Sequence, residues 1–427
     1  MSNKKRKLKK LITIALLTEA VEQEELEQKE VKQQQRRRSI WTRKWIVRRS
    51  QDLRGTIHLA HEELRFEDSD YFQRFFRMRT DLFDRLVEMV TPFIQRQNTN
   101  MRECISPRDR LSLTLRFLAT GEAYRSLEYS MRIPTCTISR IIPETSRVIY
   151  EVLQKDYLKT PSTIEEWTEI ANNYFQLWNV PNCIGSMDGR HIEFKVPLTD
   201  GSLYYNYKGT NSIVLLAIVN ALYQFIYVNV GVNGRVSDGG VYRDSDFAKL
   251  LNDPQNVLNI PDDAPLPGMG ECMPYILLAD NAFPLQKHIL KPYSSRNLTH
   301  DEQIFNYRLS RGRRVVENSF GILANRFRVL LSTMYLPVNT VQIVTLACCA
   351  LHNYISSEND AYLYGATDTE NVQNYVITSG GWRNDNAQLR NLNIINIRPN
   401  RNAIHIRDEF KRYFNTVGAV EWQEHMI

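Results

Sequence analysis

Arg311-Gly-Arg-Arg-Val-Val-Glu-Asn-Ser-Phe-Gly-Ile-Leu-Ala-Asn-Arg-Phe-Arg328 is the stretch around which the rest of the chain is organised. Apolar residues recur here in steps of four and three, at Val316, Phe320, Leu323, Phe327 and Leu330. This spacing predicts a helix that turns one apolar stripe toward a core.

Glu317 lies beside that stripe, on a face of the helix that carries both charge and small side chains. The face also holds Arg313, Gly321, Ala324 and Arg328. Because Gly321 and Ala324 are small, we expect another part of the protein, or a ligand, to approach this face closely. On this stretch alone, an ion-paired glutamate is the simplest interpretation of Glu317.

Two aspartates upstream change that interpretation. Asp188 lies in Cys183-Ile-Gly-Ser-Met-Asp-Gly-Arg-His-Ile-Glu-Phe-Lys-Val-Pro197, which predicts a strand, a glycine-assisted bend and a second strand. Asp280 ends the apolar run Tyr275-Ile-Leu-Leu-Ala279, and Pro284 is expected in the first turn of a following helix. Open α/β sheets place their functional sites at the carboxyl ends of such strands.

Three converging carboxylates repel one another unless cations lie between them. Hard divalent ions such as Mg²⁺ prefer oxygen ligands, and a pair of such ions assists phosphoryl displacement. Asp188, Asp280 and Glu317 are therefore candidate metal ligands and catalytic residues.

Several motifs together resemble the DDE endonucleases of the PIF/Harbinger transposase superfamily, from about Ile105 to the end of the chain. The motifs are Ser186-Met-Asp-Gly-Arg-His-Ile192, Tyr205-Asn-Tyr-Lys-Gly209, Gly231-Val-Asn-Gly-Arg-Val-Ser-Asp-Gly-Gly240, Leu278-Ala-Asp280 and Asn306 to Leu323. The resemblance implies an RNase H-like fold whose Asp-Asp-Glu triad binds Mg²⁺ or Mn²⁺ and cuts DNA. Matched residue by residue, that triad falls on Asp188, Asp280 and Glu317.

The resemblance also implies DNA as a partner, together with a separate Myb/SANT-like protein that supplies sequence recognition. The rival hypothesis is a domesticated DNA-binding or scaffold protein that keeps the fold without cleavage. An RNA-cutting enzyme of the same fold has no distinct support in the sequence. The sequence does not determine the oligomeric state, and a homo-oligomer is one of the alternatives.

The positive charge of the chain is concentrated at its start. Residues 1–50 hold 15 Lys and Arg against 6 Glu, a net of +9, so the other residues sum to −3 within a total of +6. This favours a nuclear-import signal or a loose nucleic-acid-binding arm, although a solubilising tail remains an alternative. The apolar run Ile12-Thr-Ile-Ala-Leu-Leu17 is too short to span a membrane, and the six cysteines form no CxxC pair.

A helix-turn-helix is the candidate DNA-binding motif of the region after the tail. Ser106 and Pro107 are expected to begin its first helix, and Gly121 to end it. Arg125 to Met131 and Thr135 to Ile142 are the second and third helices, and the third would present Thr135, Thr137, Ser139 and Arg140 to DNA. A plain helical bundle fits the residues almost as well, and the resemblance favours the DNA-binding interpretation.

The predicted fold class is α/β, with an RNase H-like mixed-sheet catalytic domain and an all-α helix-turn-helix-like domain before it. The predicted boundaries are a basic tail at 1–54, a helical domain at 55–160, the nuclease domain at 161–357, and a largely mobile loop with a closing helix at 358–427. Lys208, Arg313 and Arg314 are further candidates for contacts with DNA phosphates. A solvent-facing lysine and arginines paired with Glu317 are the alternatives.

Overall fold

The computed structural model describes residues 43–52, 54–98, 103–195, 203–206, 209–234, 236, 238–294, 297–359, 362–371, 376–384, 388–391 and 400–427. The chain divides into two compact units, Met1–Arg54 and Gly55–Ile427. Within the described part of the first unit, Lys44–Gln51 forms helix α1. All other elements belong to the second unit, and the domain boundaries expected within it stay predictions. In the described residues, no helix is long and apolar enough to cross a membrane.

The second unit begins with helices. A helical segment runs through Thr56–His58, the π-helical turn Leu59–Leu64 and Arg65–Glu67, and it is followed by α2 (Ser69–Phe76), α3 (Thr80–Ile94), α4 (Pro107–Thr120), α5 (Tyr124–Met131), α6 (Thr135–Tyr157) and α7 (Ile164–Trp178). The predicted start and end of α4 are confirmed. The Ser106 hydroxyl accepts a hydrogen bond from the Asp109 amide, Pro107 is the first helical residue, and Gly121 adopts the left-handed conformation.

Helix α6 is much longer than the eight residues expected for it. It continues past Pro143 to Tyr157, with the buried side chains Ile141, Ile149 and Leu153 at helical spacing. The proline lacks an amide hydrogen and normally ends or bends a helix. Here α6 packs along a long C-terminal helix, α11 (Val338–Glu358), and this burial outweighs the local cost.

A mixed sheet forms the centre of the second unit. Its long strands are β1 (Cys183–Glu193), β2 (Ser212–Val219) and β3 (Phe225–Asn233), and its short strands are β6 (Ile276–Leu278) and β7 (Ile289–Leu290). The spatial order is β3-β2-β1-β6-β7, antiparallel from β3 to β1 and parallel from β1 to β7. Helices α8 (Asp238–Asp244) and α9 (Asp246–Leu251) and the small pair β4 (Ala264–Pro265) and β5 (Cys272–Met273) connect β3 to β6. The mixed α/β class is thereby confirmed.

Two local expectations around the aspartates were wrong. The Asp188 segment does not bend into a hairpin, because the ladder with β2 runs without interruption from Ser186 to Glu193 and holds Gly189 extended. Pro284 does not begin a helix. Residues 281–283 form a turn, and the buried pair Ile289 and Leu290 then adds the edge strand β7 to the sheet.

The helix predicted around Glu317 is confirmed, and it begins earlier in the chain than the apolar pattern indicates. Helix α10 (His300–Arg326) begins at a capping box, in which the Thr299 hydroxyl and the Glu302 carboxylate bond each other's backbone amides. The whole apolar stripe predicted from the sequence is buried. It packs α10 against β1 and β2, so the opposite side of Glu317's turn is fixed to the sheet.

The segment after α11 is more ordered than the sequence indicates, in the part that the structure describes. It contains the hairpin β8 (Thr369–Asn371) and β9 (Val376–Thr378), a 3₁₀ turn at Gly381–Asn384, and β10 (Arg390–Asn391), which pairs with β1. The closing helix is confirmed as α12 (Arg401–Asn415). After α12, Trp422 packs near α10, and the Arg311 guanidinium carbon lies 4.7 Å from the centre of its ring.

Candidate active site

Asp188 lies in the middle of the central strand. It is 4% exposed, and one carboxylate oxygen accepts a hydrogen bond from the Gly189 amide. Its Oδ2 pairs with Nη2 of Arg190 at 2.7 Å. Residues two apart on a strand point to the same face, so β1 itself places this arginine beside the aspartate.

Strand register brings Asp280 next to Asp188. Strands β1 and β6 are parallel neighbours in which Ser186 pairs with Leu278. Each aspartate follows its paired residue by two positions, and neighbouring strands lie about 5 Å apart. Burial, followed by the charge of Asp188, raises the pKa of Asp280 above its ordinary value. The two carboxylates are therefore close enough to act on each other electrostatically.

Glu317 lies on helix α10 and lines a cavity together with Arg190. Its side chain is 25% exposed and pairs with Nη2 of Arg313, one turn earlier, at 2.5 Å. Its other oxygen lies 3.6 Å from Nη2 of Arg383, in the segment after α11. The ion pair between Glu317 and a neighbouring arginine, which the Arg311–Arg328 stretch suggests by itself, therefore exists. Glu317 also lies near a second arginine, Arg383, which is outside that stretch.

Two arginines connect the three acids. Arg190 pairs with Asp188 and lines the same cavity as Glu317, while Arg313 pairs with Glu317 and lowers the cost of ionising Asp280. The three carboxylates are not drawn together as tightly as metal ligands. In the described part of the chain, the only three Asp, Glu, His or Cys ligand atoms within 4.8 Å of one another belong to Glu271, His405 and Glu409, at the surface.

The donor groups around the aspartates nevertheless fit a hard divalent cation. All three candidate ligands offer carboxylate oxygens, which such ions prefer. Next to Asp280, the buried Oδ1 of Asn281 has no hydrogen-bonding partner among the described residues. Burial, followed by the charge of Asp188, raises the pKa of Asp280, as expected for a half-buried carboxylate near a second acid. Asp188, Asp280 and Glu317 are thus the residues that would hold Mg²⁺ or Mn²⁺.

A cavity of about 180 Å³ opens beside Glu317. Its lining includes Arg190, Phe320, Gly321, Trp382 and Arg383. The close approach expected at Gly321 is made by Trp382, because a Cβ added to this glycine would lie 2.1 Å from the indole ring. Neither Trp382 nor Arg383 was predicted as a site residue from the sequence, because their segment shows no sustained hydrophobic periodicity. Arg190 lies within the Ser186–Ile192 motif and was not predicted as a site residue either.

Comparison with known proteins agrees with this arrangement. Residues 187–353 match the family model described as "DDE superfamily endonuclease". Over these residues the chain is similar to DDE superfamily endonucleases. The match contains Asp188, Asp280 and Glu317, and it supports the RNase H-like fold implied by the resemblance to the PIF/Harbinger superfamily, which is itself confirmed.

Proteins similar to this chain occur in plants and animals. The chain is 26% identical over 305 residues to "Protein ALP1-like" of Arabidopsis thaliana, covering 69% of this chain and 73% of the relative. It is 24% identical over 327 residues to "Putative nuclease HARBI1" of Xenopus laevis, covering 74% and 88%. The human protein of that name is 22% identical over 307 residues, covering 70% and 82%. No solved structure matches the chain.

The other candidate phosphate contacts of the matched region have varied surroundings. Arg313 forms an ion pair with Glu317, which is the alternative to a DNA contact given above. Arg314 is mostly buried and lies 4.0 Å from Glu370 of β8. Lys208 lies outside the described residues. Contact of these three with DNA stays a prediction.

The first turns of α6 precede the matched region in sequence and carry the other candidate DNA contacts. Ser139 and Arg140 are exposed, and both bond the Cys136 carbonyl oxygen. Thr135 is half-buried and donates its hydroxyl hydrogen to Glu128 at 2.6 Å. Thr137 lines a surface cavity of about 440 Å³. The residues are placed on a helix as expected, and their contact with DNA stays a prediction, as does the helix-turn-helix.

Proposed function

We propose that this protein is a divalent-metal-dependent nuclease that cuts phosphodiester bonds of DNA, as a transposase or a transposase-derived endonuclease. The observation that carries the proposal is the register of β1 and β6, which sets Asp188 and Asp280 side by side with a raised pKa at Asp280. A buried carboxylate in β1 and a half-buried one just after β6 are costly to ionise together unless a cation binds between them.

The three acids lie on different kinds of backbone structure, and this difference predicts how strongly each one would hold a metal ion. Asp188 is fixed within a continuous strand and Asp280 within a turn, where the Ala282 amide donates to its Oδ1 at 2.9 Å. Glu317 is carried by a helix and is more exposed, so we expect it to hold one ion more weakly. When bound, divalent ions would supply Lewis-acid stabilisation of the attacking and leaving oxygens.

The test is nicking of supercoiled plasmid DNA by the full chain in Mg²⁺, in Mn²⁺ and in EDTA. Nicking is expected with either ion and not with EDTA. Asp188→Ala, Asp280→Ala and Glu317→Gln should each abolish it while the protein stays folded, whereas the exposed Glu421→Gln should nick as the wild type does. Wild-type nicking by any one triad variant would remove that residue from the proposed site.

The same assay separates the rival functions. A protein that binds DNA without nicking it under any metal condition would be a DNA-binding or scaffold protein that keeps the fold. Cleavage restricted to an RNA substrate would indicate the third possibility. A nuclear location and a Myb/SANT-like partner belong to this proposal, and the basic residues at the start of the chain are its support for the nucleus.

A further inference from the structure

The segment after α11 is anchored to the Glu317 helix by buried polar contacts. Glu370 of β8 accepts hydrogen bonds from the Arg311 guanidinium and the Tyr307 hydroxyl, both at 2.6 Å. Trp382 is 8% exposed and donates its indole N–H to Asn318 at 2.8 Å. Strand β10 then joins the edge of β1. These contacts fix the segment beside the cavity rather than leaving it in solvent.

Arg383 is the residue that this anchoring presents to the cavity. Its Nε lies 2.8 and 3.0 Å from the two oxygens of Asp368, and Nη2 lies 2.6 Å from Oδ2. Asp368 is itself held by the Gly380 amide, and its side chain is only 2% exposed. Burial alone would raise the pKa of Asp368, but Arg383 and the Gly380 amide hold it below its ordinary value. The guanidinium is therefore fixed in orientation at an ionised carboxylate.

The other side of the same guanidinium remains available. Its side chain is 35% exposed, and its contact with Glu317 is long, at 3.6 Å, compared with the bonds to Asp368. The hydrogen bonds to Asp368 are made by Nε and Nη2, so Nη1 lies outside this forked contact. An arginine oriented by one buried acid, with a free edge toward a polar cavity, is arranged to bind an oxyanion.

A second arginine faces this cavity from β1. Arg190 also lines it, and the Arg190 side chain is 12% exposed. Its Nη2 bonds Asp188, but its buried Nε has no partner among the described residues. The Arg190 guanidinium carbon lies 5.4 Å from the Phe320 ring, which limits where this arginine can move. The Nη1 group of Arg190 makes only a long contact, 3.5 Å, with the Leu389 carbonyl oxygen. Two guanidinium groups thus line one cavity next to Glu317.

We propose that Arg190 and Arg383 form a phosphate-binding site beside Glu317, which takes a phosphodiester group of the DNA strand next to the bond that is cut. That the ligand of this site is DNA rests on the function proposed above. The site also assigns a role to the segment after α11, which lies outside the 187–353 match. Asp368 acts as the positioning residue for Arg383. Glu317 competes with the phosphate for the same guanidinium, so neutralising Glu317 frees Arg383 for DNA.

The competition can be measured without cleavage. A fluorescein-labelled DNA duplex is titrated with the full chain in EDTA, and fluorescence anisotropy is recorded over a series of KCl concentrations. Removal of one arginine–phosphate contact should weaken binding about tenfold at low salt and reduce the magnitude of the slope of log K against log salt by about 0.9. Arg383→Gln should produce this change once Glu317 is neutral, and less of it in the wild type.

The deciding comparison is a double-mutant cycle. Glu317→Gln is expected to tighten binding of the duplex, and the gain should largely disappear in the Glu317→Gln, Arg383→Gln double variant. Arg383→Lys keeps the charge without the forked contact to Asp368 and should restore much of the salt slope. The control is Arg412→Gln, which removes an exposed arginine paired with Glu409 on α12 and should alter neither quantity.

Equal tightening by Glu317→Gln with and without Arg383 would overturn the proposal, because simple removal of negative charge would then explain the gain. A loss of thermal stability in Arg383→Gln with an unchanged salt slope would do the same, since it would leave Arg383 only a structural partner of Asp368. The outcome is separable from nuclease activity. A chain that fails to nick plasmid but shows the coupling refutes the proposed function alone, and a chain that nicks without the coupling refutes the phosphate site alone.

Discussion

Replacing Gly321 by alanine tests whether Trp382 lies against helix α10. The new methyl carbon would meet three atoms of the indole ring at 2.1, 2.4 and 2.6 Å, well inside normal contact distance. Trp382 is buried and bonded to Asn318, so the ring cannot simply swing aside. Overpacking of this kind costs about 1–3 kcal/mol, and loss of the indole hydrogen bond about 1 kcal/mol more. Alanine recovers about 1 kcal/mol of helix propensity. The expected net loss of unfolding free energy is about 1–3 kcal/mol.

Urea unfolding followed by circular dichroism measures this loss. The matched control is Gly270→Ala, where an added Cβ has no atom within 4 Å. Adding Trp382→Ala to Gly321→Ala should cost less than the sum of the two single changes, because the smaller side chain relieves the clash. A Gly321→Ala protein as stable as the wild type, or more stable, would refute the placement of the ring. It would also remove the anchor on which the position of Arg383 depends.

Three further expectations concern charge. The ionised form of Asp280 is disfavoured in the fold, so its contribution to stability is complete below the unfolded pKa of about 3.8 and is lost as pH rises through the higher folded pKa. Asp280→Asn should therefore raise the melting temperature in EDTA at neutral pH, with a gain that shrinks on acidification; no gain at neutral pH would contradict the electrostatic argument. Burial lowers the pKa of His352 from 6.5 to about 4, so stability should fall as pH drops through that range, and His352→Gln should flatten this part of a melting profile. Deleting residues 1–50, which carry a net +9, should weaken nonspecific DNA binding, flatten its salt dependence and reduce nuclear accumulation; unchanged localisation with an unchanged salt slope would count against it.

Local signals in the sequence predicted the strand before Asp280 and the helix that carries Glu317. A short apolar run before Asp280 and the three-four spacing around Glu317 are periodic patterns that depend on burial of one face, and both formed the expected elements. Ser106, Pro107 and Gly121 set the ends of α4 through their own backbone and side-chain chemistry. Such features need no knowledge of distant residues.

The features that sequence reasoning missed depend on partners far along the chain. Gly189 suggests a bend, but pairing along the whole of β2 keeps β1 straight. Pro143 suggests a helix end, but packing of α6 on α11 carries the helix beyond it. Gly321 indicates a close neighbour without saying which one. Trp382 lies 61 residues later in a polar stretch, and nothing in its local sequence shows that it is buried.

The balance of charge at the site explains how the chain folds with three acids near one another. Arg190 pairs with Asp188, and Arg313 and Arg383 lie against Glu317, so two of the three carboxylates have positive partners within the protein itself. A divalent ion must compete with these arginines for the carboxylates, and a DNA phosphate must compete with the carboxylates for the arginines. Each ligand therefore releases the groups that the other one needs. Under the two proposals made above, linkage requires that phosphate and metal strengthen each other's binding by the same factor, and Arg383 and Glu317 are the pair through which this coupling would act.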